Sequence, residues 1–435
     1  MRGAKGLLAA AVATALLVGC GPRAAGSGDW AGLVHPDELA KAGLKYYWNS
    51  SVPLLPGEKV RELYRLDENV YCLTTRNRLL CADALTGNFK WEARCGENGT
   101  VFAPMHANGV FLSPRVSGIR EIMDPHQVPV TKPFNAVLVN TLTQVLVINR
   151  DTGEMVRKPG DIVFNGYVAN GQGATDGVFF YIGSPTGEYH CIRLQEGVKL
   201  WTMTTSDKLE PVSAPPVLMG GHLFLTNEGG WVFCTATGRH GLHEWEWKMD
   251  GPSVGGFSVD DRGLFVPCMD HRIYAFTPLT GQKLWEPFIC DGALRQAIQV
   301  GENSLFQYAD GDKFYCLDLA TGRLRWPGLR EGRQVLAVTD GALCIRDARN
   351  YLLVVDEMLG TPRQKVGLTG HELFVGNATV PVLYTGRADG RLFCITPTIT
   401  TNVTLDTIGA KGRKAAGPTI VTSRPATDAA SAPAP

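Results

Sequence analysis

Charge of one sign is what this sequence most plainly lacks. Its 42 Lys and Arg stand against 42 Asp and Glu, a balance that argues against wholesale nucleic-acid binding. It has no C-x-x-C-H, so covalent haem is not expected. No serine-hydrolase elbow is read in it, and the glycines of "GATDG" and "GSPTG" near residues 173–187 precede no helix that could cradle a phosphate. The nine His are scattered, and "RHGLHEW", with His240 and His243, reads as a solvated loop rather than a zinc site. After residue 18 no apolar run is long enough to cross a bilayer, and no long stretch keeps a 3.6-residue period.

What the chain does have begins with a processing signal. Arg2 and Lys5 precede an apolar stretch from Leu7 to Val18 that ends in "LVGC", so residues 1–19 read as a signal peptide outside the fold. The tetrapeptide resembles the bacterial lipobox, which makes Cys20 the candidate for lipid attachment and the membrane a partner through that lipid. Gly21, in place of the Asp that holds many lipoproteins at the inner membrane, favours the outer membrane, facing the periplasm. Residues 20–42, opening "GPRAAGSGDWAG" after the Cys, read as a flexible tether. Residues 399–435, rich in Ala, Thr and Pro, read as a disordered tail.

Between these ends one sentence is repeated. "FYCLDLATGRLRW" carries Cys316, Asp318, Thr321, Gly322 and Trp326, and "LLCADALTGNFKW" carries Cys81, Asp83, Thr86, Gly87 and Trp91 at the same offsets. Ala275, Gly281 and Trp285 form a third copy; Cys191, Gly197 and Trp201 form a fourth, and Cys234, Gly241 and Trp245 a fifth with one extra residue. Gly153 with Arg157, and Gly360 with Gln364, are copies that lack the Trp. The Trp positions 91, 157, 201, 245, 285, 326 and 364 are spaced by 66, 44, 44, 40, 41 and 38 residues, the period of a propeller with one insertion.

Short β-branched and aromatic runs between turn signals predict an all-β fold of four antiparallel strands per unit. The Gly takes the positive φ of a tight turn, and the Trp is placed to lie between blades. Seven units are complete or nearly so. An eighth, "VLYTGRADGRLFCITP", lacks its fourth strand, and "GLKYYWNSSV" with Trp48 is a strand without a partner. Pairing the two closes an eight-bladed ring with both ends of the chain and leaves no long edge open.

The motif A-x-D-x-x-T-G-x-x-x-W, in copies 275–285, 81–91 and 316–326, resembles the repeat of the PQQ-like eight-bladed propellers, over residues 43–398. That family has two branches. Quinoprotein dehydrogenases hold pyrroloquinoline quinone (PQQ) at the ring centre, typically against a vicinal Cys-Cys disulfide, with Ca²⁺ on Glu and Asn and an Asp as base; BamB-like lipoproteins hold no quinone and serve as scaffolds in outer-membrane β-barrel assembly. This sequence has no Cys-Cys pair. The resemblance therefore implies a non-catalytic scaffold for an envelope protein partner, with no catalytic, cofactor or metal residues, and a PQQ- and Ca-dependent dehydrogenase as the alternative.

Eleven cysteines are unusual for an exported chain. Cys81, Cys191, Cys234, Cys316 and Cys394 share one position in different units and read as small buried thiols, whereas Cys72, Cys95, Cys268, Cys290 and Cys344 leave a disulfide open. The insertion, residues 114–134, carries Arg115, Ile119, Arg120, Ile122, Met123 and His126 with no evident core to join. It reads either as a partner-binding loop or as a solvated insertion.

Overall fold

The computed structural model describes residues 32–410 except 98, 113–131, 158–159, 206–209, 238–242 and 312. Residues 1–31 and 411–435, and with them Cys20, lie outside the described residues, as do Gly241 and the six loop residues Arg115, Ile119, Arg120, Ile122, Met123 and His126.

The continuous apolar runs of the sequence become the middle strands of blades. Asn69–Thr74 is buried at every position, and so is Gly263–Pro267, because each blade has a neighbour against both of its faces and neither side of a middle strand meets water. Outer strands alternate instead: His243–Lys248 exposes every second residue. Blade 1 is Val60–Leu66, Asn69–Thr74, Arg78–Asp83 and Phe89–Arg94 in sheet order. Blades 2 to 7 repeat that order over 105–157, 174–204, 217–248, 258–289, 299–329 and 332–367. In blade 6 the fourth position is held only by the bridges Leu317–Leu324 and Phe314–Leu329.

Blade 8 is built from both ends of the chain. Leu373–Phe374, Leu383–Gly386 and Arg391–Pro397 are joined by the N-terminal strand Leu44–Ser51, in the sheet order the other blades use. Trp48 faces Cys394 there as Trp91 faces Cys81 in blade 1. The core divides in the same way, into eight apolar clusters that each span one seam between neighbouring blades. Each blade thus supplies half of two cores, and the chain gains full burial only when the ring is complete.

Both readings of flexible ends need correction where the chain is described. Within 20–42, Pro36–Lys41 is a helix with the His35 side chain as N-cap, and Leu39 is fully buried. Val34 N–H donates to Thr369 O (3.0 Å), and Tyr46 Oη donates to Val34 O (3.1 Å). Within 399–435, residues 399–410 fold back over the closing seam: Val403 and Ile408 are buried, and Arg65 Nη1 donates to Ile408 O (2.7 Å). The isolated apolar residues of these segments find a core only because the ring provides one.

A four-stranded meander puts its first and third hairpins on one face of the ring and its second hairpin, with the link to the next blade, on the other. The former is the hairpin face and the latter the connection face. Gly32 lies at the connection face, its carbonyl accepting from Arg387 in the second hairpin of blade 8 (3.3 Å). Val110 and Phe134, the facing ends of the first and second strands of blade 2, lie at the hairpin face. No helix of the described residues is long and apolar enough to cross a membrane.

Candidate partner-binding surface

The repeated residues meet across seams rather than within units. The turn glycines Gly87, Gly153, Gly197, Gly281, Gly322 and Gly360 have φ between +66° and +74°, and at all of these but Gly197 a Trp from the preceding blade lies on the glycine. A Cβ added to Gly87 would stand 2.6 Å from the Trp48 ring, one at Gly153 2.8 Å from Trp91, and one at Gly281 2.5 Å from Trp245. Trp285 lies on Gly322, and Trp326 on Gly360, in the same way. The indole N–H then donates to the carbonyl three residues before that glycine: Trp48 to Ala84 (3.1 Å), Trp91 to Arg150 (2.9 Å), Trp245 to Pro278 (2.8 Å), Trp285 to Leu319 (3.2 Å) and Trp326 to Glu357 (3.2 Å). Where Arg157 replaces Trp, its Nη2 donates to Gln195 O (2.9 Å) across the same kind of seam. Trp201 faces Cys191 across the strand pair of blade 3; its glycine, Gly241, lies outside the described residues.

The ten cysteines from Cys72 to Cys394 are all buried thiols without a disulfide among the described residues. Burial pushes the Cys81, Cys191, Cys234 and Cys316 thiols up to about 12, and they pack as small apolar groups in the seams.

The hairpin face carries apolar side chains that no core accounts for. Met358 is 68% exposed and Leu359 67%, at the third hairpin of blade 7, and Ile399, just past the third strand of blade 8, is 81% exposed. Leu279 and Val178 lie exposed on the same face at blades 5 and 3. In blades 1 and 6 the position of Leu359 is a Thr whose hydroxyl donates to the turn Asp, Thr86 to Asp83 (3.0 Å) and Thr321 to Asp318 (2.8 Å). Leu359 keeps only the backbone bond to Asp356 (2.8 Å). Sequence reading missed this rim, although Leu at a Thr position was a signal. Between Gln364 and Ile399, beside these tips, opens a cavity of about 340 Å³.

The ring axis holds two further cavities. One, of about 540 Å³, is bordered by Met105, His106, Thr175, Val217 and Phe257; the other, of about 510 Å³, by Gln299, Tyr308, Arg333 and Arg346. Behind His106 lies a buried polar network. His106 Nε2 meets Tyr71 Oη (2.8 Å), its Nδ1 meets Asp67 (2.8 Å), and Arg150, 1% exposed, donates to Asp67 (3.0 Å), to Asn108 (3.1 Å) and to Glu68. The hydrogen bond from His106, with the neighbouring Arg150 guanidinium, holds the Asp67 carboxyl below the usual carboxylate range; burial, helped by Arg150, holds His106 low. Every member points at another, and the network ties blade 1 to blade 2.

One correction concerns the elbow. Gly251-Pro252-Ser253-Val254-Gly255 does match G-x-S-x-G. It lies in the link between blades 4 and 5, Ser253 is fully buried, and a strand rather than a helix follows. The strand–turn–helix setting that exposes a nucleophile is not there. Among the described residues no group of three or more His, Cys, Asp or Glu is placed to hold a metal ion.

Eight meander blades, locked by Trp of one unit on Gly of the next and closed by the two chain ends, define a β-propeller of PQQ-like repeats. Residues 143–289 and 269–363, together just over half of the chain, match the family model described as outer membrane protein assembly factor BamB, and the chain belongs to that family. Among solved structures it is similar to BamB from Moraxella catarrhalis, with a TM-score of 0.57 at 12% identity over 83% of this chain and 99% of that one. It is likewise similar to the computationally designed Ika8 protein, with a TM-score of 0.55 at 14% identity over 78% of this chain and 96% of that one. Comparison with curated proteins finds no match. At these identities the structural likenesses speak for the fold alone.

Proposed function

We propose that this protein is a non-catalytic scaffold, held in the cell envelope by a lipid on Cys20, that binds a protein partner in outer-membrane protein assembly. The observation that carries this reading is the apolar rim. Large exposed side chains at Met358, Leu359 and Ile399 cost solubility and add nothing to the ring's own core. Membership of the BamB family supplies the process. The entry of the chain at Gly32, on the connection face, supports an arrangement in which a lipid anchor leaves the hairpin face, with its rim, turned away from the point of attachment.

A photo-crosslinking residue placed at Met358 or Leu359 in cells is expected to capture an envelope protein, while the same residue at Glu228, on the connection face, captures none. Met358→Glu with Leu359→Glu should reduce capture from Ile399 without changing the melting temperature. Equal capture from both faces, or capture indifferent to the paired Glu substitutions, rules out this rim as the partner surface.

A further inference from the structure

Five seams of the ring seat a tryptophan in the wedge between an outer strand and the next blade's turn. At the seam between blades 7 and 8 the residue in that position is Gln364, which faces Val354 as Trp91 faces Cys81. The turn there, Pro397–Thr400 with Thr400 N–H donating to Pro397 O (3.0 Å), carries no glycine and leads into no hairpin. There the third strand of blade 8 ends at Pro397 and its fourth begins at Leu44, from the other end of the chain. The result is the cavity of about 340 Å³. Ala342, Cys344 and Val354 wall it from blade 7, and Leu44 and Pro397 from blade 8; Ile399 stands at its mouth. No tryptophan borders it. An apolar cavity of about 150 Å³ already takes benzene, so an indole fits with room to enter. Thr339, Asp340 and Thr398 add polar groups to its border, as do Lys41, paired with Glu38, and Arg363, paired with Asp356; a cation beside an aromatic face is favourable.

We propose that this seam is a seat for a tryptophan side chain supplied by a partner protein, which would take the place that the ring's own tryptophans fill elsewhere. The inference deepens the scaffold reading and rests on it, since it gives the rim beside Met358 and Leu359 a partner of stated chemistry. Its test needs no partner, so the two can fail separately.

Saturation-transfer NMR on the full-length protein would compare N-acetyl-tryptophanamide with N-acetyl-leucinamide. Transfer to the tryptophan amide is expected, with little or none to the leucine amide, and at least threefold less in Gln364→Trp, which fills the seat from within. Gln364→Trp should also raise the melting temperature. Ile399→Ser, at an exposed position outside the core, should weaken transfer without affecting folding, and it decides the matter if Gln364→Trp folds poorly. Equal transfer to both amides would mean a general apolar groove and overturn the proposal. So would transfer unchanged in both Gln364→Trp and Ile399→Ser.

Discussion

Gly322 has φ +67° and carries the Trp285 indole directly against its Cα. Valine there is strained twice, once by a backbone conformation that β-branched residues resist and once by the ring. Gly322→Val should therefore destabilise, and Trp326→Ala should cost about 3–5 kcal/mol, as loss of a large buried aromatic does. The geometry adds a sharper expectation. Gly322 touches Trp285 of the preceding unit, so Gly322→Val and Trp285→Ala should be coupled by about 0.5–3 kcal/mol, while Gly322→Val and Trp326→Ala, from the same unit, should come closer to additive. Denaturant titration of the singles and doubles checks this, and the reverse ranking would refute the interlock. The positive-φ glycine and the buried Trp were legible in the repeat. Their partnership was not, because offsets within a unit record nothing about which unit lies next door; the missing Trp at Gln364 was legible, but not the cavity that it leaves.

The closing strand Leu44–Ser51 is tied down by more than its ladder. Tyr46 Oη meets His371 Nε2 (3.0 Å), and His371 Nδ1 meets Thr385 Oγ1 (2.7 Å). Burial, with Arg387 and Arg391 nearby, lowers His371 to about 4. A histidine kept neutral in the fold but free to protonate near 6.5 when unfolded favours the folded state fully above 6.5, and that contribution, on the order of 3 kcal/mol, is lost as pH falls toward 4. The melting temperature should fall between pH 6.5 and 4, less steeply in His371→Asn; parallel profiles would remove His371 as the cause. Deleting residues 32–51 should abolish cooperative unfolding, whereas deleting 411–435 should leave it intact. That Trp48 completes the last blade could be read from its spacing to Trp91. The helix Pro36–Lys41 and the packing of Ile408 could not, since single apolar residues in small or polar company show no period and owe their burial to a surface formed by distant blades.

For the molecule as a whole, the propeller and its count of eight were legible because packing residues recur, and packing is what a repeat must preserve. The proposed partner surface was much less so, because it departs from the repeat only at isolated positions such as Leu359. The anchor is a matter for a single substitution: Cys20→Ser should move the protein from the membrane fraction to the soluble one, as read by fractionation and mass spectrometry of the N-terminus. Full membrane retention of that variant would show that something other than a lipid on Cys20 holds it.

The pairing of Leu44–Ser51 with Arg391–Pro397 also sets a clock. The first strand of the chain has to wait for the last strand of the ring, so no chain that stops short of Arg391–Pro397 can close it, however well its early blades have folded. Such non-local closure is slow and leaves an open edge while it is pending. The new chain is thus most exposed to aggregation and proteolysis just before its last blade is complete, and a chaperone that shields blade 1 during that interval would speed the yield of folded protein without touching its final stability.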